Sequence, residues 1–227
     1  MRDGKLLEYT PPKASLTPQS GVTYTSGLPS DWNIMKDIAK AISEASGSIN
    51  ANTTGTIYIN NGNKWAYKIT PGNTINVNNQ TYAVMGFNNF ALTNQGNYGG
   101  THTTAGLTFG AVDCIRSAKM NSTNTNSGGW GTCLTRTSTM PALKNGMPDT
   151  LAQVKVPYVD YNNQSVVAYS DDYLFLPAEK EVFGTRKYSI EAEANALTQF
   201  AYYKNGGSKK KEPFWFGGLL VASLCPL

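Results

Sequence analysis

Charge is scarce in this chain of 227 residues: 15% are Asp, Glu, Lys or Arg, well below the usual quarter. The 19 basic and 15 acidic side chains nearly cancel, at a net +4, and they are scattered. That balance gives no basic face, so no nucleic-acid partner is expected. Cysteine is equally sparse. Cys114, Cys133 and Cys225 are three in number and far apart, which removes a closed disulfide framework and a Cys-x-x-Cys zinc pair. Buried free thiols are one reading, and a Cys114 to Cys133 bridge is the other. With a single histidine, His102, no site needing two imidazoles can be built, and the Gly-x-Ser-x-Gly elbow that would hold a nucleophilic serine is missing. No metal and no cofactor are expected. Long apolar runs are also wanting. Acidic residues interrupt residues 1–8, so no export signal is visible there, and the uncharged run 214–227 falls short of the roughly 20 residues a membrane-spanning helix requires.

What is present is a 40% apolar chain with 22 Gly and 11 Pro, enough to bury one globular core beside an appended segment. Asn, Thr, Ser and Tyr fill the polar surface, as in β-rich secreted or virion-like proteins. Residues 1–30 read as an extended Pro/Ser/Thr-rich arm or linker, because Pro11, Pro12, Pro18 and Pro29 keep the backbone extended and little is left to bury. Residues 31–52 read as an amphipathic helix and connector. Asp31 caps it, Ile34, Met35, Ile38, Ile42 and Ala45 share one face, and Gly47 offers a stop. That stripe suits either a seam between chains, giving a homo-oligomer, or docking on the chain's own core.

From residue 56 the period changes to two. Residues 56–59 and 64–69 flank an Asn-Asn-Gly-Asn turn, and 73–77 and 80–87 flank Asn78-Asn79, so both pairs predict hairpins. A long polar loop, 88–104, leads to an apolar strand at 105–112 and is a candidate functional rim. Residues 130–145 predict a helix with Trp130, Leu134 and Met140 inward and a kink at Pro141. Pro148-Asp149 predicts a short helical stretch. Residues 154–159 and 165–169 predict paired strands, and 173–176 a short buried one. Ser189 is placed as the cap of a helix whose inner face carries Ala194, Leu197, Phe200, Ala201 and the stem of Lys204, ended by Asn205-Gly206-Gly207. Strands and helices in this order, without βαβ alternation, predict an α+β domain over residues 53–227, built of antiparallel β-hairpins with two or three helices.

The run Met120-Asn121-Ser122-Thr123-Asn124-Thr125-Asn126-Ser127-Gly128-Gly129-Trp130, then Arg136-Thr137, then Leu174-Phe175-Leu176-Pro177-Ala178-Glu179-Lys180-Glu181-Val182-Phe183-Gly184 resembles the bacterial and phage family called domain of unknown function 6273. Val112-Asp113-Cys114 stands where that family ends a strand in Asp-Cys, and the helix end Tyr202-Tyr203-Lys204-Asn205 followed by Ser208-Lys209 also matches. The similarity covers about residues 80 to 211. The resemblance implies a C-type-lectin-like fold and a phage or prophage setting. Family members continue into a Trp-Trp-x-Arg-Ser-Pro segment and closing strands. Here Phe214-Trp215 is followed instead by Phe216-Gly217-Gly218-Leu219-Leu220-Val221. Either the closing strands are missing or the tail replaces them.

Gly128, Gly129 and Trp130 read as a turn that seats an indole at a helix start, and Arg136 as a guanidinium paired with an acid such as Asp113 or Glu181. Asp171-Asp172 beside Ser170 reads as a strand-entry turn, since no third carboxylate follows at calcium-loop spacing. Glu179 and Glu181 diverge on a helix and lack an evident acid-base partner on a strand. Lys209-Lys210-Lys211 reads as a solvated loop. With 13 Tyr beside abundant Asn and Ser, rings supply contact area at low entropic cost, and Phe214, Trp215, Tyr203 and Tyr98 are the candidate ligand-binding residues. The expected function is non-enzymatic: a virion- or tail-associated structural or receptor-binding protein, attached to other tail components through residues 1–50 and displaying a domain for a cell-surface glycan or protein. A bacterial surface or secreted ligand-binding module is the alternative. An oxidase of the formylglycine-generating type, the enzyme the lectin-like resemblance brings to mind, is remote because Cys225 stands alone.

Overall fold

The computed structural model describes residues 11–62, 64–93, 102–113, 115 and 118–208. They form a mixed α+β architecture. A four-stranded sheet has the order β1 (Lys13–Ser15), β3 (Ile57–Asn60), β4 (Ala66–Ile69), β2 (Thr25–Ser26). A three-stranded sheet joins β5 (Thr74–Val77), β6 (Gln80–Phe87) and β7 (Leu107–Ala111), and β8 (Val154–Val159) pairs with β9 (Val167–Asp172). All pairings are antiparallel except β2 with β4.

Both predicted hairpins form. Asn78 and Asn79 take φ of 49° and 63°, the left-handed pair that a two-residue turn between twisted strands demands. The residues read as a free arm do more than link. Lys13 to Ser15 pair with Asn60 to Tyr58, and Thr25 and Ser26 with Tyr67 and Lys68. A Pro- and Ser-rich segment has little to bury, yet its extended backbone still carries N–H and C=O groups that complete both edges of a sheet.

Helix α1 (Trp32–Glu44) starts where Asp31 accepts the Asn33 N–H at 2.8 Å. Met35, Ile38 and Ile42 are at most 3% exposed and join the core with Ile57, Ile59 and Ile69. The apolar stripe is therefore spent on the chain's own core, not on a seam between copies. Two devices lock α1 onto the second sheet. Buried Asn88, at φ 51°, donates to the carbonyls of Ile42 and Ile49 at 2.8 and 2.7 Å. Gly106 lets the strand approach the helix backbone: a Cβ there would lie 1.9 Å from the Ala39 carbonyl oxygen.

The helical segments depart most from expectation. Instead of the two or three helices expected after residue 53 there are five short ones among the described residues, in addition to α1. The predicted 130–145 helix breaks at Cys133, which turns extended at ψ 151° between α2 (Gly129–Thr132) and a π-helical turn, Thr135–Thr139, that leads into α3 (Met140–Lys144). Leu134 consequently faces outward, 40% exposed. Pro148-Asp149 leads into a turn, not a helix, and 173–176 is irregular, not a strand. After α4 (Glu179–Phe183), the single helix expected from Ser189 is two, α5 (Glu191–Asn195) and α6 (Ala201–Lys204), and α5 is entered at Ile190 without a side-chain cap. Between them the Phe200 N–H donates to the Glu181 carbonyl at 2.9 Å and Gln199 Nε2 to the Val182 carbonyl at 3.0 Å. Those bonds to α4 replace the ones a continuous helix would make.

Candidate functional site

Side chains alternate across a strand, so the β8–β9 hairpin has two faces with different work. On its inner face Asp172 gathers three donors: Trp130 Nε1 at 2.8 Å, Arg136 Nε at 2.8 Å and Ser170 Oγ at 2.5 Å. Arg136 also donates to the Gly131 carbonyl at 2.8 Å. The partner of Arg136 is thus Asp172, in place of Asp113 or Glu181. Asp113 is exposed and takes a bond from Gln80 through its backbone oxygen, and Glu181 lies in a different part of the fold. The acidic pair belongs to β9 itself, where the strand-entry turn was expected. Gly128, at φ 77°, donates its N–H to Asp160 Oδ1, and a Cβ on Gly129 would meet the Val159 carbonyl. The Gly128-Gly129-Trp130 turn therefore docks α2 directly against β8. Cys133 is a free thiol beneath it, fully buried, and burial pushes its pKa up.

The outer face carries Lys155 opposite Asp171 and Pro157 opposite Tyr169. Residues 89–93 run along β8 like a further strand. The Lys155 N–H donates to the Ala91 carbonyl at 2.9 Å, the Thr93 N–H to the Gln153 carbonyl at 3.0 Å, and Thr93 Oγ1 to Asp171 Oδ1 at 2.9 Å. Opposite stands the 196–200 segment that α4 holds. Between these walls lies a cleft of about 310 Å³ lined by Asn89, Lys155, Pro157, Tyr169, Glu181 and Leu197 among others. That volume sits at the lower end of the range of about 300–1,000 Å³ for small-molecule sites.

Glu181 is 3% exposed, and its Oε2 accepts the Ala178 N–H at 2.8 Å in a capping arrangement at the start of α4. Burial drives its pKa to about 8, against the opposing pull of that N–H, and Glu193 adds repulsion. At neutral pH the carboxyl is mostly protonated and can donate as well as accept. Burial, then Glu179, raises Glu193 to about 7. Glu179 behaves oppositely. Burial pushes it up, but the N–H groups of Ser189, Tyr188 and Lys187 outweigh that and hold it below the ordinary value. Two glutamates that the sequence set aside as an unlikely acid and base pair thus differ in protonation, yet only Glu181 reaches the cleft.

Tyr169 is 60% exposed at the cleft, while Asn89 Oδ1 is buried with no hydrogen-bond partner. Neither was singled out in the sequence. Ser165-Val166-Val167-Ala168-Tyr169 carries no polar alternation that would mark Tyr169 as outward, and Asn89 falls in the 88–104 loop expected to form a functional rim without being marked individually. Of the expected ligand-binding residues, Tyr203 is 8% exposed, its ring packed on Phe200 and Tyr202, with burial driving its pKa to about 12. It is a core residue. Tyr98, Phe214 and Trp215 lie outside the described residues, as do Cys114, Cys225 and the Lys209-Lys210-Lys211 cluster. His102 adjoins Thr103 and Thr104, which pair with Leu92 and Ala91, and its Nε2 is 3.8 Å from Glu44 Oε1 on α1.

Among the described residues no cluster of three or more His, Cys, Asp or Glu side chains is arranged to hold a metal ion. Among the same residues no helix is long and apolar enough to cross a membrane. Set against family models, curated proteins and solved structures, the chain matches none.

Proposed function

We propose that this chain is a non-enzymatic binding module: a virion- or tail-associated protein of a phage or prophage whose α+β body engages a ligand on a cell surface. The observation that carries the reading is the concentration of exposed rings. Of the eight large apolar side chains exposed among the described residues, six lie between residues 161 and 188: Tyr161, Val166, Tyr169, Tyr173, Phe183 and Tyr188. Five of the six are aromatic. Rings of this kind, two torsions each and half in water, are the economical material of recognition surfaces, and here they are concentrated in one segment of the chain. The stretch is also held rigid from within, because Asp172 fixes β9 to Trp130 and Arg136.

The resemblance in residues 80 to 211 supplies the phage or prophage setting and the lectin-like expectation. The test is binding of the purified full-length protein to bacterial cells, together with detection of the protein in purified virions. Saturable cell binding plus virion association is the expected result. Cell binding without virion association favours a bacterial surface or secreted module, and the loss of both overturns the reading.

A further inference from the structure

Glu181 on α4 and Lys155 on β8 line the same cleft, where they are the one acid and the one cation among the described lining residues. Neither is matched by a partner of opposite charge. The Lys155 ammonium makes no ion pair and no hydrogen bond among the described residues. Asp171, opposite it in the strand register, accepts from Thr93 Oγ1 and is not part of the lining. Glu181 Oε2 accepts the Ala178 N–H, while its Oε1 has no partner among the described residues and, unlike Asn89 Oδ1, is not sealed from solvent.

That asymmetry places the proton of the neutral carboxyl. An oxygen already accepting an N–H is the poorer seat for it, so the hydrogen sits on Oε1 and presents an O–H donor to the cleft. Thr198 adds a hydroxyl that is also without a partner among the described residues. Near neutral pH the polar lining therefore offers one positive charge and two O–H donors, beside apolar walls from Tyr169, Leu197 and Pro157. A neutral polyol leaves the charge unanswered, a cation is repelled, and a phosphate dianion carries one charge more than the single ammonium. A carboxylate has the matching charge and lone pairs enough for all three donors.

We infer that this cleft is a subsite for one carboxylate group of the ligand, paired with the Lys155 ammonium and accepting the Glu181 Oε1 hydrogen. The inference rests on the binding-module reading and names the ligand chemistry and the place. It carries a pH signature. Glu181 loses its proton at about 8, above which two carboxylates face each other in the cleft, whereas a ligand carboxylate is ionised far below that. Of the other groups around Glu181, Glu179 stays ionised and Tyr203 neutral from pH 6 to pH 9, and Glu193, raised to about 7, gains charge in the same direction. Affinity therefore falls as pH rises.

The test uses full-length protein with acetate, benzoate and glucuronate as probes, acetamide, benzamide and glucose as uncharged counterparts, and inorganic phosphate. Binding is read by protein-observed NMR titration at pH 6 and pH 9. The expected result is saturable binding of at least one carboxylate in preference to its uncharged counterpart, about tenfold weaker at pH 9 than at pH 6 and about tenfold weaker in Lys155→Gln at pH 6. Glu181→Gln keeps an acceptor for the Ala178 N–H and a donor for the ligand but cannot titrate, so it binds at pH 6 and loses most of the pH dependence. Lys68→Gln, an exposed cation on β4, leaves binding unchanged, and unaltered thermal unfolding of Lys155→Gln shows that this variant is folded. Equal binding of carboxylate and uncharged counterpart, tighter binding of phosphate, insensitivity to Lys155→Gln, a wild-type pH profile in Glu181→Gln, or no carboxylate binding at all overturns the inference. Cell binding that persists at full strength in Lys155→Gln also overturns it while leaving the binding module standing; a wild-type protein that binds no cells overturns the module itself.

Discussion

Glu181 holds its proton because the fold gives its carboxyl almost no water and a single N–H partner. The consequence for stability has a definite sign. Its folded-state pKa, about 8, lies above the ordinary 4.5, so between those values the folded chain binds more protons than the unfolded one. By linkage, stability from this group is whole below 4.5 and drains away as pH rises toward about 8. Glu193 on α5, raised to about 7, drains in the same direction over a slightly lower range. Around the pair stand Glu179 on α4, Tyr203 on α6 and Lys155 on β8. Urea unfolding from pH 5 to pH 9 is expected to show midpoints that fall with pH. Glu181→Gln, which can still accept the Ala178 N–H, is expected to flatten that fall; a variant with the wild-type slope would remove Glu181 as its source. Asp172 matters in another way, as the buried acceptor of three side-chain donors. Asp172→Ala strands the Arg136 guanidinium and the Trp130 indole N–H, and a loss of about 3–5 kcal/mol is expected, read as a lowered urea midpoint at unchanged slope. From the sequence, Trp130 and Arg136 were legible as structural, because a glycine turn before an indole and an isolated arginine have few other uses. Their common acceptor was not, since Asp172 lies some three dozen positions downstream and only the strand register turns it inward.

Hairpins and helices differ in how much of their reason is local. The Asn78-Asn79 turn and the alternation on either side contain everything needed for β5 and β6, which is why that pair was readable. Helix α1 was readable for the same reason: cap, stripe and stop are contiguous. Its start gives a simple test. Asp31→Ala removes the acceptor of the Asn33 N–H and is expected to cost about 1 kcal/mol, whereas Asp31→Asn, another good cap, costs only a fraction of that; equal losses in thermal melts would argue that the cap is idle. The segments 130–145 and 189–204 carry helix-like patterns as well, yet distant partners override them. Cys133 must turn extended for Trp130 and Arg136 to converge on one carboxylate, and Phe200 gives its N–H to the Glu181 carbonyl instead of to its own helix. Such competition lives in three dimensions, so periodicity alone cannot report it. The cleft shares that origin. Asn89, Tyr169 and Thr198 are neighbours only because a strand-like loop and a broken helix flank the same hairpin.

At the scale of the molecule the question is what residues 11–30 are for. A detachable arm would leave the body intact on removal, and the composition of the segment argued for that. The structure instead places Lys13 to Ser15 and Thr25 and Ser26 on the two outer positions of the four-stranded sheet, with Pro12 and Pro29 buried. The central hairpin of that sheet, β3 and β4, holds Ile57, Ile59 and Ile69 against α1, all at 0% exposure. Stripped of both flanks, it keeps α1 but presents two unpaired strand edges, which weakens the sheet and leaves it prone to pair with other chains. A chain beginning at residue 30 is therefore expected to unfold at lower temperature than the full chain and to self-associate, as read by differential scanning calorimetry and light scattering. The same pairing bears on attachment: if residues 1–50 join the protein to a virion, they do so while residues 13–15 and 25–26 are stitched into the body. Limited proteolysis gives the discriminating result. Protection of residues 13–30 until global unfolding is expected, and early cutting between Ser15 and Thr25 with an unchanged melting temperature would return the segment to the status of an arm or linker.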